Sequence, residues 1–443
     1  MKALDDRRFR MGFAVVALFT ALAGDAWRYS LSWYGFGAIA GVVVAISIAL
    51  IVRERGRWYV GSLPFPLLAF AALAVLSITW SFYPAATAIG TATTLVTIAT
   101  GFAIAIALSW DEILAALGRV LRIILGLSIV FEVIVSLFVR APILPWWPSP
   151  GVDYDSLPAK IPKLLYWSRN ELFEPGGKIQ GIVGNSSLLG FVALLALIVF
   201  GIQLFSKTVT RATGIASVVV AAGVIYLTRS ATITIALVVL AAVLATILLM
   251  RRVRRRNRGY IWAGVLALAA AGVAVVIAVP TQLLALVGKS PDLTNRTGIW
   301  EKVIALAEQR PAFGWGWVSY WVPWVEPFTD LDSNSGVRQL HAHNAWLDVW
   351  LQLGILGLIV FGALVLSTTV RAWIFATSKP VRGYAQVGAH TVQSLLPILV
   401  MVALLVQSVA ESRLLVEYGL VLLTIIAIRT KREPSPSPEP SFV

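Results

Sequence analysis

Apolar stretches of membrane-spanning length recur along the whole chain, and this recurrence limits its fold more than any motif does. Spans are read at 11–27, 31–52, 63–80, 85–108, 113–138, 180–205, 212–228, 231–250, 259–287, 343–370, 392–411 and 414–428. All but the shortest, 414–428, reach the length with which a helix crosses about 30 Å of hydrocarbon. The reading predicts an all-α, polytopic integral membrane bundle of about twelve transmembrane helices. A composition of 58% hydrophobic and 13% charged residues lies outside the range of soluble domains and agrees with it.

Lysine and arginine set the expected orientation. With a cytoplasmic N-terminus carrying Lys2, Arg7, Arg8 and Arg10, the same side receives Arg53, Arg55, Arg57, Lys207, Arg211 and the run "RRVRRRNR" at 251–258. It also receives Arg371, Lys379, Arg382, Arg429, Lys431 and Arg432. Every strongly basic short loop then falls on one side, as the positive-inside rule requires, and both termini are expected to be cytoplasmic. The net charge of +14 is mostly topology and lipid contact, so nucleic acid is not an expected partner. The first span has charged residues before it and no small-residue cleavage site, and reads as a retained helix. The absence of cysteine excludes disulfides, thiolate metal sites and cysteine nucleophiles. Residues 431–443 form a Pro/Ser-rich tail expected to be disordered, and no short-period repeat suggests a solenoid.

Two connections on the predicted outer side are long, 139–179 and 288–342, and rich in Trp, Pro and Gly. Trp146, Trp147, Trp167, Trp300, Trp315, Trp317, Trp321 and Trp324 suggest an ordered cap, or an aromatic belt at the membrane surface. Four cations face the same plane: Lys178 before a span, Arg229 in "LTRSAT", Arg296 in "TNRTGIW" and Arg413 in "ESRLL". Charges this close to hydrocarbon snorkel, pair with an acid such as Glu411 or Glu417, or serve function. Together they suggest an anion site, and arginine's fork suits a diphosphate. Residues 297–309 read as a short amphipathic helix lying on the membrane, its N-terminal amides beside Arg296.

The run His343-Asn344, nine residues, Gly354, two residues, Gly357 resembles the signature of the O-antigen ligase and polymerase superfamily, membrane glycosyltransferases of the GT-C type. "KIQGIVGNSSLLG", "LTRSAT", "NRTGIWEKVIAL", "RPAFGWGW" and "QSVAESRLL" follow the family order across about 175–420.

The resemblance implies one transmembrane glycosyltransferase domain over 1–430 in a bacterial cell membrane. Its reaction would move a glycan from undecaprenyl diphosphate to an acceptor sugar hydroxyl at the outer face, as a ligase or as a polymerase. The partners are then a lipid-linked glycan donor, a saccharide or glycolipid acceptor, and membrane lipid. No cofactor is expected, in agreement with the lack of a phosphate-binding or dinucleotide fingerprint. His343 matches the motif as general base, and the transfer is expected to invert the anomeric carbon. Arg229 and Arg296 are the expected diphosphate clamp, with Lys178 beside them. Glu411, Arg413, Asn344 and Arg338 are supporting candidates, Glu411 as a partner of Arg413 or a sugar contact. His341, two residues from His343, is expected to point elsewhere, and Gly354 and Gly357 to allow close helix contact. Asp153 with Asp155, and Asp330 with Asp332, have metal-binding spacing but lack a third ligand, so no metal is expected. A flippase for lipid-linked precursors is the alternative of a different class. It would place charges midway through several helices, where only Arg119, Arg122 and Glu132 stand out.

Overall fold

A computed structural model describes residues 2–147, 152, 161–267, 296–329, 331, 333–334, 337–382, 385–386 and 388–436. Eight helices fill the first part of the chain: α1 (Arg7–Leu22), α2 (Gly24–Arg53), α3 (Phe65–Leu76), α4 (Pro84–Ala107), α5 (Trp110–Ile134), α6 (Ser186–Phe205), α7 (Arg211–Thr228) and α8 (Ala231–Arg252). After 258–267, also helical, come α9 (Arg296–Ala307), α10 (Ala345–Thr377), α11 (Leu396–Ser408) and α12 (Glu417–Arg432). Two-residue antiparallel pairs join Ser333–Asn334 to Val337–Arg338 and Val381–Arg382 to Ala385–Gln386.

Among the described residues, seven helices are long and apolar enough to cross a membrane: α2, α4, α5, α6, α7, α8 and α10. The expected count of about twelve is not confirmed among the described residues. α1 and α12 have 16 residues each, α3 has 12 and α11 has 13. The chain gives these segments early stops. α1 ends at Ala23, outside helical geometry, and Gly184 at φ 73 ends a 3₁₀ turn so that α6 starts at Ser186, capped by Asn185, rather than at 180. The Asn185 side chain then caps the N–H groups of Ser187 and Leu188. The span expected at 259–287 continues beyond 267 outside the described residues.

The core sits around α6, most of whose apolar window is buried, whereas α2 is largely exposed to the surroundings. Arg122 bridges helices instead of lining a passage: it donates to Gly118 O, Gln203 Oε1 and Ser217 Oγ. Glu132 lies buried near the end of α5 and accepts from Ser168 Oγ, Gln180 N and Gly181 N at 2.7–2.9 Å. It anchors the 168–181 loop. Arg119 is exposed. The mid-span charges weighed for a flippase are therefore two structural anchors and one surface residue.

Tryptophans build an ordered cap at the end of the bundle that holds these loops. Trp317 and Trp321 are fully buried, and their indole N–H groups donate to Thr94 Oγ1 and Asp348 Oδ1, both at 2.8 Å. Trp146, Trp147 and Trp324 remain exposed, as an aromatic belt would be. The amphipathic segment differs from expectation. α9 turns Ile299, Val303, Leu306 and Ala307 into a cap cluster with Trp321, Phe328 and Leu351, so its apolar face is covered by protein.

Candidate active site

α10 begins later than expected because Asn344 caps it. The Asn344 side chain accepts from Trp346 N at 3.0 Å and Leu347 N at 3.3 Å, so this candidate sugar contact serves the helix. Just before it, His343 adopts a left-handed conformation, φ 51, and its N–H donates to His341 Nδ1 at 3.0 Å. The two rings lie 4.1 Å apart. The expectation that His341 points away fails because 341–343 is a tight turn and not the first helical residues.

Three distant segments meet at His343. Its Nδ1 is 3.2 Å from Glu411 Oε2, in the turn after α11, and its Nε2 is 3.0 Å from Gln339 Oε1. Glu411 Oε1 accepts from Arg296 Nη2 at 3.1 Å, at the start of α9. Glu411 therefore partners His343 and Arg296, while Arg413 pairs with Glu417 and lies over the Tyr320 ring. Burial alone would raise the Glu411 pKa, but His343, His341 and Arg296 outweigh it and hold the carboxyl at about 2. Burial, then the charges of His343 and the nearby arginines, push His341 well below the usual histidine range, which suits an Nδ1 that accepts.

The ring of His343 lies between two acceptor oxygens. An imidazolium satisfies both with N–H donors; the neutral ring gives Nδ1–H to Glu411 and turns the Nε2 lone pair toward the Gln339 side chain. With the side chain about a quarter exposed, Nε2 is the nitrogen a substrate hydroxyl can approach if Gln339 moves aside.

Asp348, which the sequence reading passed over, holds this arrangement from below. It is fully buried in α10 and accepts from Trp321 Nε1, Ala342 N and Ser412 Oγ. Ala342 adjoins His343 and Ser412 adjoins Glu411, so one carboxylate sets both loops. A lone acid four residues into an apolar helix was the available signal.

Gly354 breaks α10 at φ 67, and the backbone of 311–316 docks into the break. Ile355 N donates to Pro311 O at 2.8 Å and Trp315 N to Leu351 O at 3.0 Å. A Cβ on Gly354 would sit 2.2 Å from Ala312 O, so the close approach is to a loop backbone and not to another helix. A Cβ on Gly357 would meet Leu353 and Val349 of its own helix. Gly354→Ala is expected to cost at least about 3 kcal/mol, read as loss of folded, monodisperse protein in detergent; wild-type yield and thermal stability would refute this role.

The other cations separate. Arg229, exposed at the end of α7, donates from Nε to Gly177 O at 3.0 Å, which brings it beside Lys178. Arg338 is exposed and donates to Pro323 O at 2.9 Å.

His341, His343 and Glu411 also offer three ligand atoms within 4.8 Å of one another, a grouping that could hold a metal ion and that the sequence reading missed. Asp153, Asp155, Asp330 and Asp332 lie outside the described residues. In the cluster both Glu411 oxygens and His341 Nδ1 already have partners, and a cation would have to displace these bonds beside Arg296. The donor set fits an ion-paired acid–base cluster better than a metal cage.

The fold and this cluster define a polytopic membrane protein with acid–base and cationic groups gathered at one end of its bundle. Residues 216–362, about a third of the chain, match the family model described as O-antigen ligase. The match supports membership in the O-antigen ligase/polymerase superfamily of membrane glycosyltransferase-like enzymes. Arg229, Arg296, His343, Asn344, Gly354 and Gly357 fall inside the matched range; Lys178, Glu411 and Arg413 fall outside it. No curated protein matches the chain significantly.

Proposed function

We propose that this protein is a ligase-type glycosyltransferase that moves a glycan from undecaprenyl diphosphate to the hydroxyl of an acceptor sugar. The observation that carries the reading is the His343–Glu411–Arg296 cluster at the mouth of α10, with His343 and Arg296 inside the matched range and Glu411 brought to them from outside it. In the reaction the acceptor oxygen attacks the anomeric carbon, its proton passes to His343 Nε2, and the bond to the diphosphate oxygen breaks with inversion. Glu411 holds Nδ1–H and stabilises the imidazolium that forms. Arg296, with Arg229 and Lys178, takes up the charge that develops on the leaving diphosphate.

Reconstituted protein given a defined lipid-linked glycan and a sugar acceptor should form one glycosidic bond per lipid diphosphate released. Growth of the donor glycan on itself would identify a polymerase, and no discharge of donor under any acceptor would overturn the reading. Because side chains supply the charge, transfer should proceed unchanged in excess EDTA; loss of transfer that a divalent cation restores would assign the histidine–glutamate grouping to a metal.

The reading also puts the cluster on the outer face of a bacterial cell membrane, with both termini cytoplasmic, and the charge asymmetry supports this orientation. The chain has no cysteine, so single replacements label without background. Glu174→Cys should react with an impermeant thiol reagent in intact cells and Arg256→Cys should not. The reverse pattern would invert the topology.

A further inference from the structure

At the basic end of the bundle, away from the histidine cluster, α1, the turn after α2 and the last turn of α12 enclose a cavity of about 460 Å³. Five arginines line it: Arg7, Arg10, Arg57, Arg429 and Arg432. Asp5, Glu112 and Glu433 line it too, so positive charge exceeds negative at its wall.

Partners hold these guanidinium groups in place: Arg10 uses all three of its nitrogens, on Leu4 O, Ala107 O and Glu54, whereas the other four keep at least one nitrogen without a partner among the described interactions. Arg7 pairs with Glu112 at 2.6 Å, and Glu54, buried behind the wall, is shared by Arg10 at 2.6 Å and Arg57 at 3.0 Å. Arg432 donates from Nη2 to Arg57 O at 2.8 Å, whereas its Nη1 is buried without a partner. Arg429, its side chain only 8% exposed, pairs with Glu433, donates from Nη1 to Ala105 O and lies over the Trp110 ring, leaving a buried Nε without a partner. Buried guanidinium donors are costly to leave unmade, and the positive charge that the lining acids leave unbalanced favours an anion in the space.

We propose that this cavity binds a phosphate-bearing anionic headgroup. The arginine forks match phosphate oxygens, and the volume accommodates a headgroup larger than a single ion. Ile106–Ser109, where α4 ends and α5 begins, also line the cavity, which places it at the level where helix ends meet lipid headgroups. Basic pockets between transmembrane helices on the cytoplasmic side take up such headgroups by charge and hydrogen bonding.

The test uses the full chain. Thermal unfolding is followed in phosphatidylcholine nanodiscs with increasing phosphatidylglycerol, and in detergent with inorganic phosphate titrated at constant ionic strength. Saturable stabilisation is expected. Stabilisation by phosphatidylglycerol alone assigns the site to a lipid, and stabilisation by inorganic phosphate as well assigns it to the phosphate group itself. Arg7→Gln and Arg57→Gln remove exposed guanidinium groups and leave the core untouched; each should raise the half-saturating concentration about fivefold. Arg211→Gln and Arg254→Gln, exposed basic residues outside the cavity, should leave it unchanged. Absence of saturable stabilisation from either source, or equal weakening in the Arg211 and Arg254 variants, would overturn the proposal in favour of diffuse surface charge.

Discussion

Transfer by the His343→Ala protein should fall by roughly 10² to 10⁴, about 3 to 5 kcal/mol of barrier, while the lipid-linked donor still binds. The expected loss is this large because the cluster offers no second base. Glu411, the nearest carboxylate, still has Oε1 bonded to Arg296 in the variant, which opposes its taking up a proton. His341 spends Nδ1 on the N–H of His343. His343→Gln keeps a side chain able to bond to Glu411 yet cannot accept a proton, so it should be as inactive as the alanine variant. His341→Ala removes one hydrogen bond from the turn and should cost less than about tenfold. Donor binding and single-turnover transfer must be measured separately on reconstituted protein. Near-normal turnover in His343→Ala, or greater loss in His341→Ala, would remove His343 from the role of base.

How much of this was legible in the sequence differs between the fold and the site. Membrane helices announce themselves by local composition, so the seven helices long and apolar enough to cross a membrane were each anticipated as spans. Their ends were not, because they depend on single residues that composition averages away: Ala23 between α1 and α2, Gly184 before α6, and the cap Asn344. His343 and Gly354 were readable through a short motif, but the reason for Gly354, a loop backbone docked into a broken helix, lies in residues some forty positions upstream. Glu411 is 68 residues from His343, and no local pattern links them. Sequence proximity offers both Glu411 and Glu417 as partners for Arg413, and the 3₁₀ turn at Ser412–Leu415 accompanies the choice: Glu411 goes to His343 and Arg296, Arg413 to Glu417. Asp348 escaped for a related reason: its three donors come from three separate segments.

The two arginines of the expected clamp should separate in their kinetics, because their surroundings differ. Arg229 is exposed, donates from Nε to a backbone carbonyl and lies over the ring of Tyr226. Arg229→Ala should therefore weaken donor binding by about 1.5 to 3 kcal/mol per charged hydrogen bond lost and leave thermal stability and saturated turnover nearly intact. Arg296 has a second duty, since its Nη2 also bonds the carboxylate that orients His343. Arg296→Ala should lose the same binding term and, in addition, lower turnover at saturating donor, because Glu411 is no longer pinned against the ring. Arg296→Lys keeps the charge but cannot reach Glu411 and phosphate at once with a planar fork, so it should recover binding more than turnover. The combined loss in Arg296→Ala, on the order of 10² or more in kcat/KM, is the larger of the two. Equal effects of the two alanine variants on binding alone would mean that the link from Arg296 through Glu411 to His343 has no part in transfer, and unaltered kinetics in both would remove the clamp altogether.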